Sequence, residues 1–347
     1  MCSLRNLAII FLLFLLVPPL LTSYWLITND NKFTVQSIIT TQYAHIHILK
    51  HYLESFLMSV TDELQFLSQS PFLRDYLEWR YRMLTSTPSE SVPSESVVLT
   101  TELEKKRQSL AAEFLLFSRY HDIYDQIRYL DETGQEIVRI NSSGTTSQIV
   151  ADKKLQNKAD RYYFKETMQL SAEEIFVSPL DLNRENDNLE RPLKPVIRYA
   201  KLVYYNSARK AGIVILNINA NYFLKLLQDV RLIDSKGYFL NHPIPYNCWG
   251  GPHDLNTGYQ FSTEYPQLAT RALEASGIYE TNNQIVLLQQ VKVPQASYHW
   301  TLVFPQDKKV IPQLITPFYL VLIIMPMVIG LTGLIWLNLK LQRFPLS

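Results

Sequence analysis

Three histidines stand close together early in the chain, His45, His47 and His51. On a helix, His47 and His51 share a face with Glu54. Two imidazoles four residues apart beside a carboxylate can hold a divalent metal. No Glu follows His47, so the His-Glu-x-x-His pattern of metallopeptidases is absent. Solvent-facing histidines are expected here, with no metal and no other cofactor. The chain also lacks a Gly-x-Ser-x-Gly elbow and a Gly-rich phosphate loop, so an enzyme is not expected. Cys2 precedes an apolar run and Cys248 is alone in the rest of the chain, which excludes an internal disulfide and a Cys-rich zinc site. Asn141-Ser-Ser143 matches a glycosylation sequon that matters only in a eukaryotic secretory context. Lys and Arg total 33 against 32 Asp and Glu, a net charge of +1, which gives no basic footprint for nucleic acid.

Two stretches have the composition of membrane helices. Leu7 to Ile27 and Leu314 to Leu339 are almost wholly apolar and uncharged. About 20 such residues in a helix reach across about 30 Å of hydrocarbon. Transmembrane helices are expected over 7–28 and 314–339, leaving 1–6 and 340–347 together on one side. The first reads as an uncleaved anchor, because its apolar run is long for a signal peptide and no small-x-small site precedes Tyr24-Trp25. Residues 29–118 then read as a long helix, a flexible insert and a second helix. Ile46, Leu49, Leu53, Phe56, Val60, Leu64 and Leu67 form an apolar stripe at helical spacing within a helix expected over 32–82. It packs on its own domain; a sharper expectation adds a homodimer through the same helix. The insert TSTPSESVPSESVVL, at 85–99, reads as an exposed loop, and helix resumes from Glu102 to Phe117.

The stretch YDQIRYLDETGQEIVRIN, at 124–141, organises the remainder. Alternating residues predict two strands, and Asp131-Glu-Thr-Gly134 is the turn between them. The pattern Leu130-Asp131-x-x-Gly134-x-x-Ile137 returns as Ile233-Asp234-x-x-Gly237-x-x-Leu240. A repeat of that period implies two similar lobes, 119–220 and 221–306. Further strands are expected over 175–183, 196–205, 211–219, 284–292 and 298–304. Short helices are expected within 157–170, 222–227 and 264–276. Only about seven residues separate the last strand from the second apolar stretch.

The hairpin, with LQNKADRYYFKE, IFVSPLDLN, PLKPVIRYAKLVY, GIVILNI and LIDSKGYFLNHP, resembles the extracytoplasmic double-Cache (tandem PAS-like) sensor domain of bacterial transmembrane receptors. The resemblance covers roughly residues 30–305. It implies an α+β fold, in which a long N-terminal helix carries two tandem PAS-like lobes with antiparallel sheets, flanked by the two transmembrane helices. It implies a two-pass protein of the bacterial inner membrane, with cytoplasmic termini, a periplasmic sensor and a small-molecule ligand in the membrane-distal lobe. Amino-acid-binding relatives show Arg, one residue, then Trp and Tyr, with an Asp downstream. Arg161 matches the Arg, Tyr163 stands at the Trp, Phe164 at the Tyr, and Asp181 is an unaligned candidate for the Asp. An Arg fork grips a carboxylate, an Asp takes an ammonium and aromatic walls exclude water. Without the Trp, the ligand is open among amino acids, carboxylates and amines.

Arg198 lies on the next strand, where alternation points Arg198 and Ala200 one way, Tyr199 and Lys201 the other. The structural alternative is that Arg161 and Asp181 pair and the tyrosines are core. In the family the second span leads to a linker or output domain, whereas here LNLKLQRFPLS ends the chain. The expectation is a sensor without its transmitter, either truncated or acting through a separate signalling partner. The other reading is an envelope module whose lobes bind a periplasmic protein.

Overall fold

The structure is a computed structural model that describes residues 4–85 and 93–308, apart from 145, 186–187 and 207–208, with short helical pieces at 324–325, 328–333 and 335. Side chains of 93–96, 185, 271–273 and most of 4–35 fall outside the described set. The stretch expected to span at 314–339 therefore lies outside it except for those pieces, and 7–28 is helical backbone. Among the described residues no helix is long and apolar enough to cross a membrane.

Helix α1 (Leu4–Ser68) buries Ile46, Leu49, Leu53, Leu57, Val60, Leu64 and Leu67. Phe56, expected in that row, is half-buried, and Leu57 takes its place. The helix does not run on to residue 82. It stops before α2 (Pro71–Thr85), where the Ser70 hydroxyl accepts from the amides of Phe72 (3.1 Å) and Leu73 (3.3 Å). Pro71 has no N–H to continue the ladder, and a Ser cap before a first-turn Pro starts a new helix instead. Helix α3 (Pro93–Tyr120) begins inside the Ser/Pro/Glu-rich insert, so residues 93–99 are helix and not loop. Proline is favourable in the first turn, where its missing donor is no loss.

The first sheet is built from β1 (Tyr124–Asp131), β2 (Glu136–Ser142), β3 (Ser147–Ile149), then, after helix α4 (Tyr162–Thr167), β4 (Ile175–Val177) and β5 (Asp181–Leu182). The small ribbon β6 (Arg184–Glu185) and β7 (Asn188–Leu189) precedes the long strands β8 (Pro195–Tyr204) and β9 (Lys210–Asn219). The order is β3-β2-β1-β9-β8-β4, with β5 also on β8, and all pairings are antiparallel. Asp131 Oδ1 accepts from the amides of Thr133 (2.9 Å) and Gln135 (3.1 Å), and Gly134 takes φ +81 to close the expected turn.

The second sheet follows α5 (Asn221–Leu224). Its strands are β10 (Arg231–Ile233), β11 (Phe239–Asn241) and, after α6 (Phe261–Glu264) and α7 (Ala269–Glu274), β12 (Gly277–Glu280), β13 (Gln284–Lys292) and β14 (His299–Asp307). Their order is β11-β10-β14-β13-β12. The repeated motif makes the same turn: Asp234 Oδ1 accepts from Lys236 (2.9 Å) and Tyr238 (2.8 Å), with Gly237 at φ +88. The single helix expected over 264–276 is two short ones, parted at Pro266, which offers no amide to the ladder. The class is thus α+β, a long N-terminal helix with two antiparallel sheets.

By contacts the chain forms two compact units. One is Ile48–Gly277 with Leu288–Phe304 and holds the first sheet and its helices. The other is Met1–His47 with Ile278–Leu287 and Pro305–Ser347. Within it, the β12–β13 turn closes by Thr281 N to Gln284 O (2.8 Å), and Lys308 Nζ reaches Glu280 and the Thr281 carbonyl.

Candidate functional site

One face of the first sheet changes character along its strands. Leu130, Ala200, Leu202, Ile213 and Ile215 make it apolar at one end, where Tyr163 and Phe164 of α4 pack. Two residues further along the same strands, period-two alternation places Arg128, Arg198 and Asn217 on that face. The register sets Asn217 abreast of Gln126 on one side and Arg198 on the other. This polar end opens into a cavity of ≈ 110 Å³. Arg161, at the start of α4, and Tyr163 close one wall; Gln156 and Lys158 come from the preceding loop, and Asn183 and Arg184 from the β5–β6 segment.

Arg128 is 3 % exposed and is held on several sides. Its Nη2 donates to Asn217 Oδ1 (2.9 Å), and its Nη1 to Tyr163 Oη (3.2 Å) and Glu136 Oε1 (3.5 Å). Its guanidinium also lies 5.4 Å from the Tyr163 ring centre. Arg128 Nε has no hydrogen-bond partner among the described residues. The Glu136 side chain is 0 % exposed; Arg139 Nη1 lies 3.7 Å away, and the Gln156 amide donates to it at 3.1 Å. Arg198 donates to Asp181 Oδ1 (2.9 Å), Asn183 Oδ1 (3.0 Å) and Tyr162 Oη (3.4 Å). Burial would lower the Arg198 pKa, but Asp181 and the neighbouring phenols outweigh it and hold it above its ordinary value.

The electrostatics of the rest follow from this crowd of guanidinium groups. Burial would raise the Tyr163 phenol, yet Arg128, Lys158 and Arg198 bring it below its ordinary value. Burial brings the Lys158 ammonium down, and the Arg128 and Arg139 charges add to that against Tyr163 and Glu136. Lys158 Nζ donates to Gln156 Oε1 (2.5 Å).

Of the four residues singled out from sequence, Arg161, Tyr163 and Arg198 line the cavity together. Asp181 does not; it stands behind Arg198 as its ion-pair partner. Phe164 belongs to the apolar part of the face. Arg128, Arg139, Lys158 and Asn217 were not anticipated. Arg128 reads in sequence as the solvent side of a half-buried strand, and only strand pairing puts it beside Asn217. The early histidines His45, His47 and His51 are exposed, and among the described residues no cluster of three or more His, Cys, Asp or Glu forms a metal site.

Three hydrogen bonds tie the cavity's surroundings to residues that follow β11 in the chain. The Leu182 amide donates to Asp254 Oδ1 (2.9 Å), Arg184 Nη2 to the His253 carbonyl (3.0 Å) and Tyr298 Oη to the Ser178 carbonyl (2.5 Å).

The first sheet, with the short helix α4 and the polar cavity beside it, is thus the part of the fold that holds the candidate site. The profile of the bacterial histidine kinase sensor domain matches residues 50–303, and the chain belongs to that family. No curated protein matches it in sequence. Among solved structures it is similar to a domain described as sensory box/GGDEF family from Vibrio parahaemolyticus, with 20% identity and TM-score 0.66, covering 80% of this chain and 99% of that one. It is similar also to the extracellular domain of a protein described as the histidine kinase vpHK1S-Z8, with 21% identity, TM-score 0.64 and coverage of 83% and 96%. The sensory domain of the Campylobacter jejuni chemoreceptor Tlp3 (CcmL), solved with isoleucine bound, has 15% identity, TM-score 0.52 and coverage of 81% and 97%. At these identities the likeness is one of fold.

Proposed function

We propose that this chain is a membrane-anchored extracytoplasmic sensor whose first lobe binds a small molecule in the cavity of Arg161, Tyr163 and Arg198, with Asp181 acting through Arg198. The observation that carries the reading is the cavity itself. Charged side chains from β1, β8 and the start of α4 converge there; Arg128 is held by the buried Glu136, Tyr163 and Asn217, and Arg198 by Asp181 and Asn183. Ligand would shift the balance between two arrangements of the lobes. The ties from Leu182 and Arg184 to the Asp254 loop give that shift a route to the second lobe, and β14 leads on in sequence toward the apolar stretch 314–339. Arg161→Ala is expected to abolish ligand binding and leave thermal unfolding of the empty protein unchanged. Calorimetry showing unaltered affinity would refute the assignment.

The tie at Asp254 makes a separate prediction. Burial, against the Leu182 amide, raises the Asp254 pKa to about 6 from 3.8, with Asp181 and Asp234 adding to the rise and Arg184 opposing it. The folded state therefore holds this proton where the unfolded chain has lost it, and folding weakens as pH rises between about 4 and about 6. Asp254→Asn keeps an oxygen for the Leu182 amide without the charge. Its melting temperature is expected above wild type at pH 7–8, the gain closing on acidification below about 4. A gain independent of pH would contradict this.

A further inference from the structure

We infer that the first sheet carries a second binding site, separate from the cavity of Arg161 and Arg198, for a small monocarboxylate with an apolar body. Alternation along β8 sends Arg198 into the cavity already described and Lys201 to the opposite face. On that side a cleft of ≈ 250 Å³ opens between the end of α1, the start of α2 and the edge of β8. It is more than twice the first cavity's ≈ 110 Å³, and it shares no lining residue with it. Its size is close to the lower end of small-ligand pockets, about 300 Å³. Its walls are apolar at Leu73, Leu77 and Val203 and polar at Gln65 and Gln69.

Of the charged residues in this lining, Arg74 and Glu173 are exposed, whereas Lys201 is 4 % exposed. Lys201 Nζ donates to the Ala172 carbonyl at 2.6 Å, which takes one of the ammonium's three protons. Among the described residues no carboxylate forms an ion pair with it. Glu173 acts on it from the rim, yet burial prevails and holds the ammonium below its ordinary value. Buried charges are ordinarily paired, and this one has only a carbonyl. The open edge of β8 supplies a second donor. Strand β4 pairs as far as Ile175, opposite Lys201, and among the described residues no strand lies beside Leu202 on that side. The Ser178 amide donates to the Arg198 carbonyl, so the backbone groups that face outward from β8 are those of Arg198, Ala200 and Leu202. The Leu202 N–H therefore faces the cleft beside Lys201. A carboxylate there meets an ammonium and an amide, while its apolar body lies on Leu73, Leu77 and Val203. A ligand ammonium would meet Lys201 as a like charge. A second carboxylate would be desolvated against the leucines at a cost.

The test is calorimetry and thermal unfolding of the full chain in detergent at neutral pH. The probes are butyrate, hexanoate and benzoate, with hexanamide and benzamide as their uncharged counterparts. At least one acid is expected to bind at millimolar concentration or below, about 10- to 100-fold more tightly than its amide, the worth of one charge-assisted hydrogen bond. Lys201→Met keeps an apolar stem and removes the charge, and should weaken the acid by the same factor. Gln69→Trp, at an exposed position, fills the cleft without disturbing the buried core and should also block the acid. Arg161→Gln, in the other cavity, should leave the affinity unchanged. Acid binding indifferent to both Lys201→Met and Gln69→Trp overturns the site, as does binding lost in Arg161→Gln alone. Amides bound as tightly as the acids overturn the carboxylate class. No binding by any of the three acids at millimolar concentration overturns the inference as a whole.

Discussion

Arg128→Met is expected to destabilise the first lobe by about 3–5 kcal/mol, the cost of breaking a buried ion pair by removing one partner. Met fills much of the volume, so the loss is mainly electrostatic. Glu136, 0 % exposed, would keep only Arg139 at 3.7 Å and the Gln156 amide, while Asn217 Oδ1 and Tyr163 Oη would lose their donor. A buried carboxylate left short of counter-charge costs more than the pair contributes. Adding Glu136→Gln to Arg128→Met is therefore expected to recover part of the loss, a non-additivity that neighbours in one network show. Urea unfolding reads both. A loss below about 1 kcal/mol for the single variant, in the range of an ordinary hydrogen bond, would show that Glu136 is satisfied without Arg128.

The second large effect belongs to Gly212→Ala. Gly212 has φ +121, and a Cβ there would lie 2.0 Å from the Leu130 carbonyl oxygen and 2.7 Å from Asp131 backbone atoms. The clash is with backbone, so no side chain can swing aside. Gly212 pairs with Asp131 on β1 and Val203 on β8, and a retreat on either side opens the ladder at the centre of the sheet. Backbone strain of about 1–3 kcal/mol adds to about 1–3 kcal/mol for the overfilled space. The same ladder holds Arg128 beside Asn217, so ligand binding is expected to fall with stability. A melting temperature within about 2 °C of wild type would mean that the strands absorb the methyl group.

Much of the fold was legible because its causes are local. The turns at Asp131–Gly134 and Asp234–Gly237 follow from an aspartate that bonds the amides ahead of it and a glycine at positive φ. The stripe from Ile46 to Leu67 follows from helical period, and its one misplaced member, Phe56, differs from Leu57 by a single position. The break at Ser70-Pro71 is also written locally, as a cap followed by proline, three residues past the last member of the stripe. At the start of α3 the Ser/Pro/Glu composition argued for a loop, and Pro93 at a helix start outweighed it.

The long helix and the repeated turn were legible in the chain, the α+β class followed from its resemblance, and Arg161, Tyr163 and Arg198 stood out only as candidates. Tertiary structure alone decided what they form. Alternation put Arg128 on the polar side of β1 and so toward water, but both faces of this sheet are covered, and a covered polar face becomes a cavity. Arg128 and Asn217 meet because β1 lies beside β9, and they are 89 positions apart in the chain. Charge balance is equally non-local. Glu136 and Asp181 are as acidic in sequence as any other carboxylates, and only the packing shows them spent behind Arg128 and Arg198. The sign of the cavity is a sum over side chains from separate strands and loops, and no window of sequence contains that sum.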